Sequence, residues 1–361
     1  MVEIKLVRHR EKREELLDLF RISFGHDMSA ELWDWKYIQN PFVSADPEVI
    51  VAVENGKIVG ARPLLLAEMW LEDEKVKAAQ PCDTMVHPEH RREGIFSRMN
   101  QFAIEYFKQS GYAFFYNFPG PMSHPGYLKQ GWKIVAITET LYRFINPQKL
   151  ISYKLKNQFL GTGLGFFYDK LLNTRIKVSL LSSSFQVKVF DKFPGELKEV
   201  DNLRDKSTID LVRSEAYLRW RFDQHPEHSY KYIIAKKGDE LWGYAVISVQ
   251  EQINGLVYGM IVDYVVKNKD IDCFRILINR CLDELEKSEL DLVSIWAFSQ
   301  PEFRKELIKH FGFKSSSTFP YNRFFGKGYL VAREIDEQVV EKIDIYDKKN
   351  WRVTYTYYDT T

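Results

Sequence analysis

Two stretches of this 361-residue chain combine residue types that can do chemistry. The first is Val86-His87-Pro88-Glu89-His90-Arg91-Arg92-Glu93-Gly94-Ile95-Phe96-Ser97, where a strand end runs through a basic, glycine-containing turn into a helix. Successive backbone N–H groups of such a turn and of the helix N-terminus converge on one point. The helix dipole adds partial positive charge, and Arg91 and Arg92 add full charges nearby. A pyrophosphate fits that description. The second stretch, Tyr127-Leu-Lys-Gln-Gly131-Trp132, places a phenol one helical turn before a glycine stop.

The pattern V-x-P-x-x-R-x-x-G-I at Val86 to Ile95 resembles the acetyl-coenzyme A signature of the GCN5-related N-acetyltransferase (GNAT) superfamily, and Tyr-x-x-x-Gly-aromatic at Tyr127 to Trp132 is similar to a second element of that family. The family has Gly or Ala where this chain has Phe96. The resemblance implies a donor site built from Met85, Val86, His87, Arg91, Arg92, Glu93, Gly94, Ile95, Phe96 and Ser97, with Asn117 and Ser123 completing it. It further implies that Tyr127 is the general acid for the departing thiolate and that backbone N–H groups around Met85 and Val86 serve the carbonyl oxygen. An amine must be neutral to attack, so a base is expected, with Asp83, Glu68 and Asp359 as candidates and Asp83 the first choice.

These residues need a scaffold, and internal repetition reveals one. SAELWDWKYIQNP at 29–41 matches SEAYLRWRFDQHP at 214–226, with Trp35 on Trp220 and Lys36 on Arg221. Further downstream Gly60 falls on Gly243, Asp83 on Asp263, and QGW at 130–132 on FGF at 311–313. Each copy reads as strand, one or two helices, a hairpin at Asn55-Gly56 or Gly238-Asp239, strand, long helix, strand, short helix and closing strands. The expected fold is α/β with a mixed α+β sheet, as two tandem GNAT-like domains. Copy two is degenerate, since the alignment puts Ile271 on Arg91, Phe274 on Gly94 and Ile308 on Tyr127. The expected domains are 1–145 (donor binding), 146–184 (a basic amphipathic connection) and 185–361 (closing the substrate cleft). The arrangement is similar to that of the enhanced-intracellular-survival and mycothiol synthase proteins.

Composition narrows the partners. Apolar residues at 45% and aromatics at 15% describe a globular chain, and 51 basic against 50 acidic residues give no global field for nucleic acid. Three cysteines without CxxC spacing imply neither a disulfide framework nor a metal site, and no metal is expected. His87 and His90 have no third ligand nearby, and Gly161-Thr-Gly163-Leu-Gly165 lacks a dinucleotide context. No apolar run spans a membrane and no leader is legible, so a cytoplasmic location follows, with 149–180 as a weak membrane-surface candidate. The expected activity is acetyl transfer from acetyl-CoA to a primary amine of a small molecule or amino sugar, by direct attack in a ternary complex. A non-catalytic CoA-binding scaffold and an O-acyl or aminoacyl transferase are the alternatives, and oligomeric state is open.

Overall fold

The computed structural model describes residues 1–149, 184–252, 255–319, 321–323 and 326–359. Most of the basic connection and the whole of Gly161 to Gly165 lie outside the described residues.

Copy one begins with β1 (Glu3–Arg8), α1 (His9–Phe24) and α2 (Ala30–Tyr37). Gly25, at φ 79°, ends α1, and the Ser29 hydroxyl caps α2 by accepting from Leu32 N. β2 (Glu48–Glu54) turns through Asn55 and Gly56, both at positive φ, into β3 (Lys57–Arg62). That is the chemistry of a two-residue hairpin loop.

Pro63 then interrupts the strand, because it has no N–H for the ladder, and β4 (Leu64–Leu71) continues in a different sheet. Its neighbour breaks at the same level. β5 (Glu74–Pro81) stops, Asp83 takes φ 44°, and β6 (Met85–Val86) returns to β3. Meanwhile β7 (Tyr112–Asn117) pairs with β5 only as far as Ala79 and Phe115. Beyond that level β6 and β7 share no pairing, and the two sheets part between Val86 and Asn117. α3 (Ile95–Gln109), α4 (His124–Lys129), β8 (Lys133–Thr138) and β9 (Thr140–Phe144) complete this half of the chain.

Copy two repeats the order. Its strands are β10 (Phe185–Phe190), β11 (Asp210–Leu211), β12 (Tyr230–Lys237), β13 (Glu240–Glu251), β14 (Val257–Val266), β15 (Leu292–Trp296), β16 (Lys314–Ser315) and β17 (Gly328–Glu334). Its α-helices are α5 (Glu215–Leu218), α6 (Ile271–Leu285), α7 (Pro301–His310) and α8 (Glu337–Val340).

The sheets cut across the expected boundaries at 145 and 185. β9, from the first half, lies between β15 and β16, while β17, from the second half, lies between β7 and β8. Each copy therefore lends one interior strand to the other. Leu141 of β9 is fully buried in copy two's core, and Val331 of β17 in copy one's. β11 also crosses over, pairing with the outer edge of β4.

The repeated aromatic motif sits on the pseudo-twofold relation between the copies. The Trp35 and Trp220 rings stack at 4.8 Å and 15°. Each indole Nε1 donates to the other's backbone oxygen at 2.8 Å. This reciprocity explains why the motif recurs in both halves.

Candidate functional site

The basic turn forms as its sequence suggests, with one difference in how its charges are used. Pro88–His90 is a single 3-10 turn, Arg92 and Gly94 take φ 71° and 74°, and Gly94 caps α3 with no side-chain hydrogen bond. No acidic residue stands in the first turn of α3, so its N–H groups are left to solvent or to a ligand. Arg91 does not face that opening. Its Nε reaches Val86 O at 3.4 Å and its Nη2 reaches Ser23 O at 3.1 Å, so it ties the turn to the end of α1. Arg92 is exposed and makes no ion pair among the described residues. Glu93 pairs with the His90 ring at 3.3 Å, His87 Nδ1 accepts from Glu89 N at 3.4 Å, and Ser97 Oγ accepts from Gln130 at 3.1 Å.

The Met85 and Val86 N–H groups differ. His87 N donates to Val59 O at 2.9 Å, and alternate residues of an antiparallel ladder share one direction. The N–H of Met85 is therefore directed at β3, while that of Val86 is directed into the cleft. Of these two N–H groups, only that of Val86 is free of the β3 ladder.

Tyr127 lies on α4, 2% exposed, edge-on to Phe96 (5.5 Å) and Trp132 (4.7 Å). Its hydroxyl makes no hydrogen bond among the described residues. Phe96, the departure from the family pattern, fills the space over Gly126, where a Cβ would come within 3.2 Å of its ring. Beneath both rings lies Arg62, fully buried, its guanidinium 5.6 Å from the Phe96 centroid and 5.5 Å from that of Tyr127. Asn100 Oδ1 accepts from Arg62 Nη2 at 2.7 Å, and no carboxylate pairs with this cation. Asn117 is buried, with Oδ1 accepting from Phe118 N at 2.7 Å, and Ser123 Oγ donates to Gly120 O at 3.2 Å. Both hold the loop between β7 and α4.

Two of the three candidate bases meet. Asp83 Oδ2 accepts from Lys36 Nζ at 2.7 Å and from Tyr37 Oη at 2.5 Å, while the same Lys36 donates to Asp359 at 2.9 Å. Among the described residues Asp83 Oδ1 has no hydrogen-bond partner. The Lys36 side chain is only 4% exposed, against 15% for Asp83 and 13% for Asp359. Burial works against the Lys36 charge, but Asp359 and Asp83 more than offset it and hold the ammonium above its ordinary pKa. Burial likewise opposes ionisation of Asp359, yet Lys36 holds its carboxyl below the usual range. Burial and the nearby carboxylates push the Tyr37 phenol and the Cys82 thiol well up. Two carboxylates against one ammonium leave the cluster one net negative charge.

Glu68 lines a cavity of ≈ 400 Å³ with Lys77, Tyr106 and Ser110 by the C-terminal end of α3, and Tyr37, which donates to Asp83, lines the same cavity. Lys36 and Tyr37 were missed as site residues because their motif read as packing. The alignment of Lys36 on Arg221 was the available signal.

Copy two keeps the position and loses the opening. The α6 cap is Asp270, whose carboxylate accepts from Cys273 N, and Asp272 adds a second acid in the first turn. Asp270 stands 176 residues after Gly94, whereas Asp263 stands 180 after Asp83, so the turn is four residues shorter than the alignment of Phe274 on Gly94 assumed. Asp263 is itself fully buried. Arg213, Tyr244 and Thr354 donate to its carboxylate and leave neither oxygen free. Among the described residues no group of side chains could hold a metal ion, and no helix is long and apolar enough to cross a membrane.

Residues 3–135 match the family described as acetyltransferase (GNAT) domain. Among solved structures, the chain is similar to a GCN5-related N-acetyltransferase from Anabaena variabilis, at 12% identity and a TM-score of 0.63 over 92% of this chain and 73% of that one. It is also similar to Eis1 from Mycobacterium abscessus, at 13% identity and 0.58 over 95% and 76%. A tandem GNAT protein from the clavulanic acid biosynthesis pathway aligns at 13% and 0.51 over 92% and 99%. At such identities the likeness is one of fold. No curated protein matches the chain. Residues 3–135 thus carry a GNAT acetyltransferase domain, and over the whole chain the likeness to a tandem GNAT protein is one of fold.

Proposed function

We propose that the protein transfers an acetyl group from acetyl-CoA to a primary amine of a small molecule or amino sugar, with both substrates bound together in copy one. The observation that carries this reading is the contrast between the two long helices: α3 starts at an uncapped glycine with no acid in its first turn, whereas α6 starts at a carboxylate bonded to its own backbone. An anion is stabilised at the first and repelled from the second. The backbone from Gly94 to Ser97 and the side chain of Arg92 would hold the donor's pyrophosphate, and Arg91 would position the turn.

Bound there, the donor supplies a thioester carbon as electrophile. The Val86 N–H faces the cleft, where it can meet negative charge developing on a carbonyl oxygen. The negative Lys36–Asp83–Asp359 cluster favours an ammonium-bearing acceptor. Asp83 Oδ1, without a partner among the described residues, accepts the proton that the ammonium must lose before attack. Lys36 and Tyr37 hold Asp83 from its other oxygen. Tyr127, whose hydroxyl bonds to none of the described residues, gives a proton to the departing sulfur.

The test is calorimetric titration of acetyl-CoA into wild type, Gly94→Asp and Gly94→Asn, followed by amine-dependent thiol release. Gly94→Asp installs copy two's capping carboxylate on a residue type that tolerates positive φ. Binding that falls about 100-fold in Gly94→Asp and much less in Gly94→Asn supports the reading. A folded wild type that fails to bind acetyl-CoA, or binds it without turnover of any amine, overturns it.

A further inference from the structure

Arg62 ends β3 at the level where the two sheets part, opposite Ile50 of β2 and fully buried. Its Nη2 donates to Asn100 Oδ1 at 2.7 Å and its Nη1 to Thr84 Oγ1 at 3.4 Å, while Nε is buried without a partner. Both acceptors are neutral, and among the described residues no carboxylate pairs with the guanidinium. A guanidinium keeps its charge in a protein, and burying one without an anion is costly.

Copy two shows that the fold does not require this charge. The same bulge interrupts both hairpins, beside Ala52 opposite Gly60 and beside Ala235 opposite Gly243. Ala245, opposite Ile233, therefore holds the register position of Arg62 opposite Ile50. Ala245 is fully buried in an apolar core, so an uncharged residue suffices there. The buried cation belongs only to the copy that carries the basic turn and Tyr127. Its guanidinium lies 5.5 Å from the centroid of the Tyr127 ring and 5.6 Å from that of Phe96, and those two rings meet edge to face. A cation at that range attracts the ring faces, and it stabilises negative charge that arises on or beside them.

We propose that Arg62 is a positioning residue for departure of the thiol. It holds Tyr127 through its ring and supplies the positive charge that this step calls for. The proposal rests on the acetyl-CoA reading above. As the acceptor nitrogen bonds to the thioester carbon, the C–S bond breaks and its electron pair passes to sulfur. Tyr127 gives the sulfur its proton, and the phenolate left behind recovers one shed by the acylated nitrogen. Negative charge thus rests first on sulfur and then on Tyr127, with the Arg62 cation in place throughout.

The experiment compares wild type with two neutral variants, Arg62→Met and Arg62→Gln, and with Arg62→Lys. Met is the apolar replacement that copy two's core shows to be compatible with the fold, and Gln keeps a donor for Asn100. The first readout needs no turnover: ultraviolet absorbance of the thiolate in bound CoA at pH 7, against bound desulfo-CoA. A free thiol, of pKa about 8.5, is mostly protonated there. We expect wild type to hold a thiolate fraction at least about fivefold above that of free CoA, lost in both neutral variants and partly kept in Arg62→Lys. The second readout is amine-dependent thiol release. The neutral variants should lose about 100-fold in kcat with the KM for acetyl-CoA changed less than about threefold, and Arg62→Lys should recover at least about tenfold of that loss. A thiolate fraction equal in wild type and a folded neutral variant, or kcat within about twofold of wild type, overturns this proposal alone. A folded wild type that binds neither CoA nor acetyl-CoA overturns the acetyl-CoA reading, and this proposal with it.

Discussion

At the residue scale, the site is organised around one lysine. Lys36 joins two carboxylates from distant parts of the chain, and its removal leaves Asp83 and Asp359 facing each other. Lys36→Met should therefore cost about 3 kcal/mol of stability at pH 7. Two like charges raise each other's pKa, so the deficit should shrink as acid neutralises one of them; urea denaturation at pH 7 and pH 5 measures both effects. Tyr127→Phe removes only an oxygen that bonds to none of the described residues. It should leave acetyl-CoA affinity unchanged while lowering kcat about 100-fold or more, the usual range for a lost proton donor. A change confined to affinity would make Tyr127 a packing residue. The sequence pointed to Asp83, Asp359 and Tyr127, because their types suit the chemistry. It did not separate Asp359 from Glu68, since both are acids and only the folded chain brings one of them to Lys36.

At the element scale, two broken strands and one uncapped helix make the cleft. Pro63 and the positive φ of Asp83 interrupt neighbouring strands at the same level, whereas β13 and β14 of copy two run for 12 and 10 residues. Behind this break, His9 at the start of α1 stacks on Tyr37 at 5.4 Å and 9°, with Nδ1 unbonded. Burial lowers its pKa to about 3. The folded state thus holds this ring neutral while the unfolded chain takes up a proton below about pH 6.5, so its contribution to stability falls as pH falls from there towards 3. His9→Phe keeps the stacking and removes the titration. Relative to that variant, wild type should lose about 1.4 kcal/mol per pH unit between pH 6 and pH 4, measured by denaturant unfolding. The helix positions, the hairpin turns and the basic turn were legible from periodicity and turn chemistry. The true start of α6 was not, because an alignment by landmarks misses a turn shortened by four residues when both versions end in a helix.

At the scale of the whole molecule, the copies are interlocked rather than merely adjacent. β9 and β17 are interior strands in the sheets they join, so either half alone lacks a central strand and exposes two ladder edges. Expressed separately, 1–149 and 184–361 should aggregate; co-expressed, they should purify together as a one-to-one complex, read by gel filtration. Soluble, folded separate halves would contradict the exchange. The tail from Trp351 to Asp359 reinforces the lock, running past Asp263 to Lys36. The repeat and the fold class were written in the sequence, because local patterning is a property of short segments. Which strand joins which sheet, which acid reaches Lys36, and that Arg91 ties the basic turn to the end of α1 were decided only by tertiary structure. Two copies of one fold offer each strand two equivalent places, and the choice between them rests on contacts made by residues more than a hundred positions away.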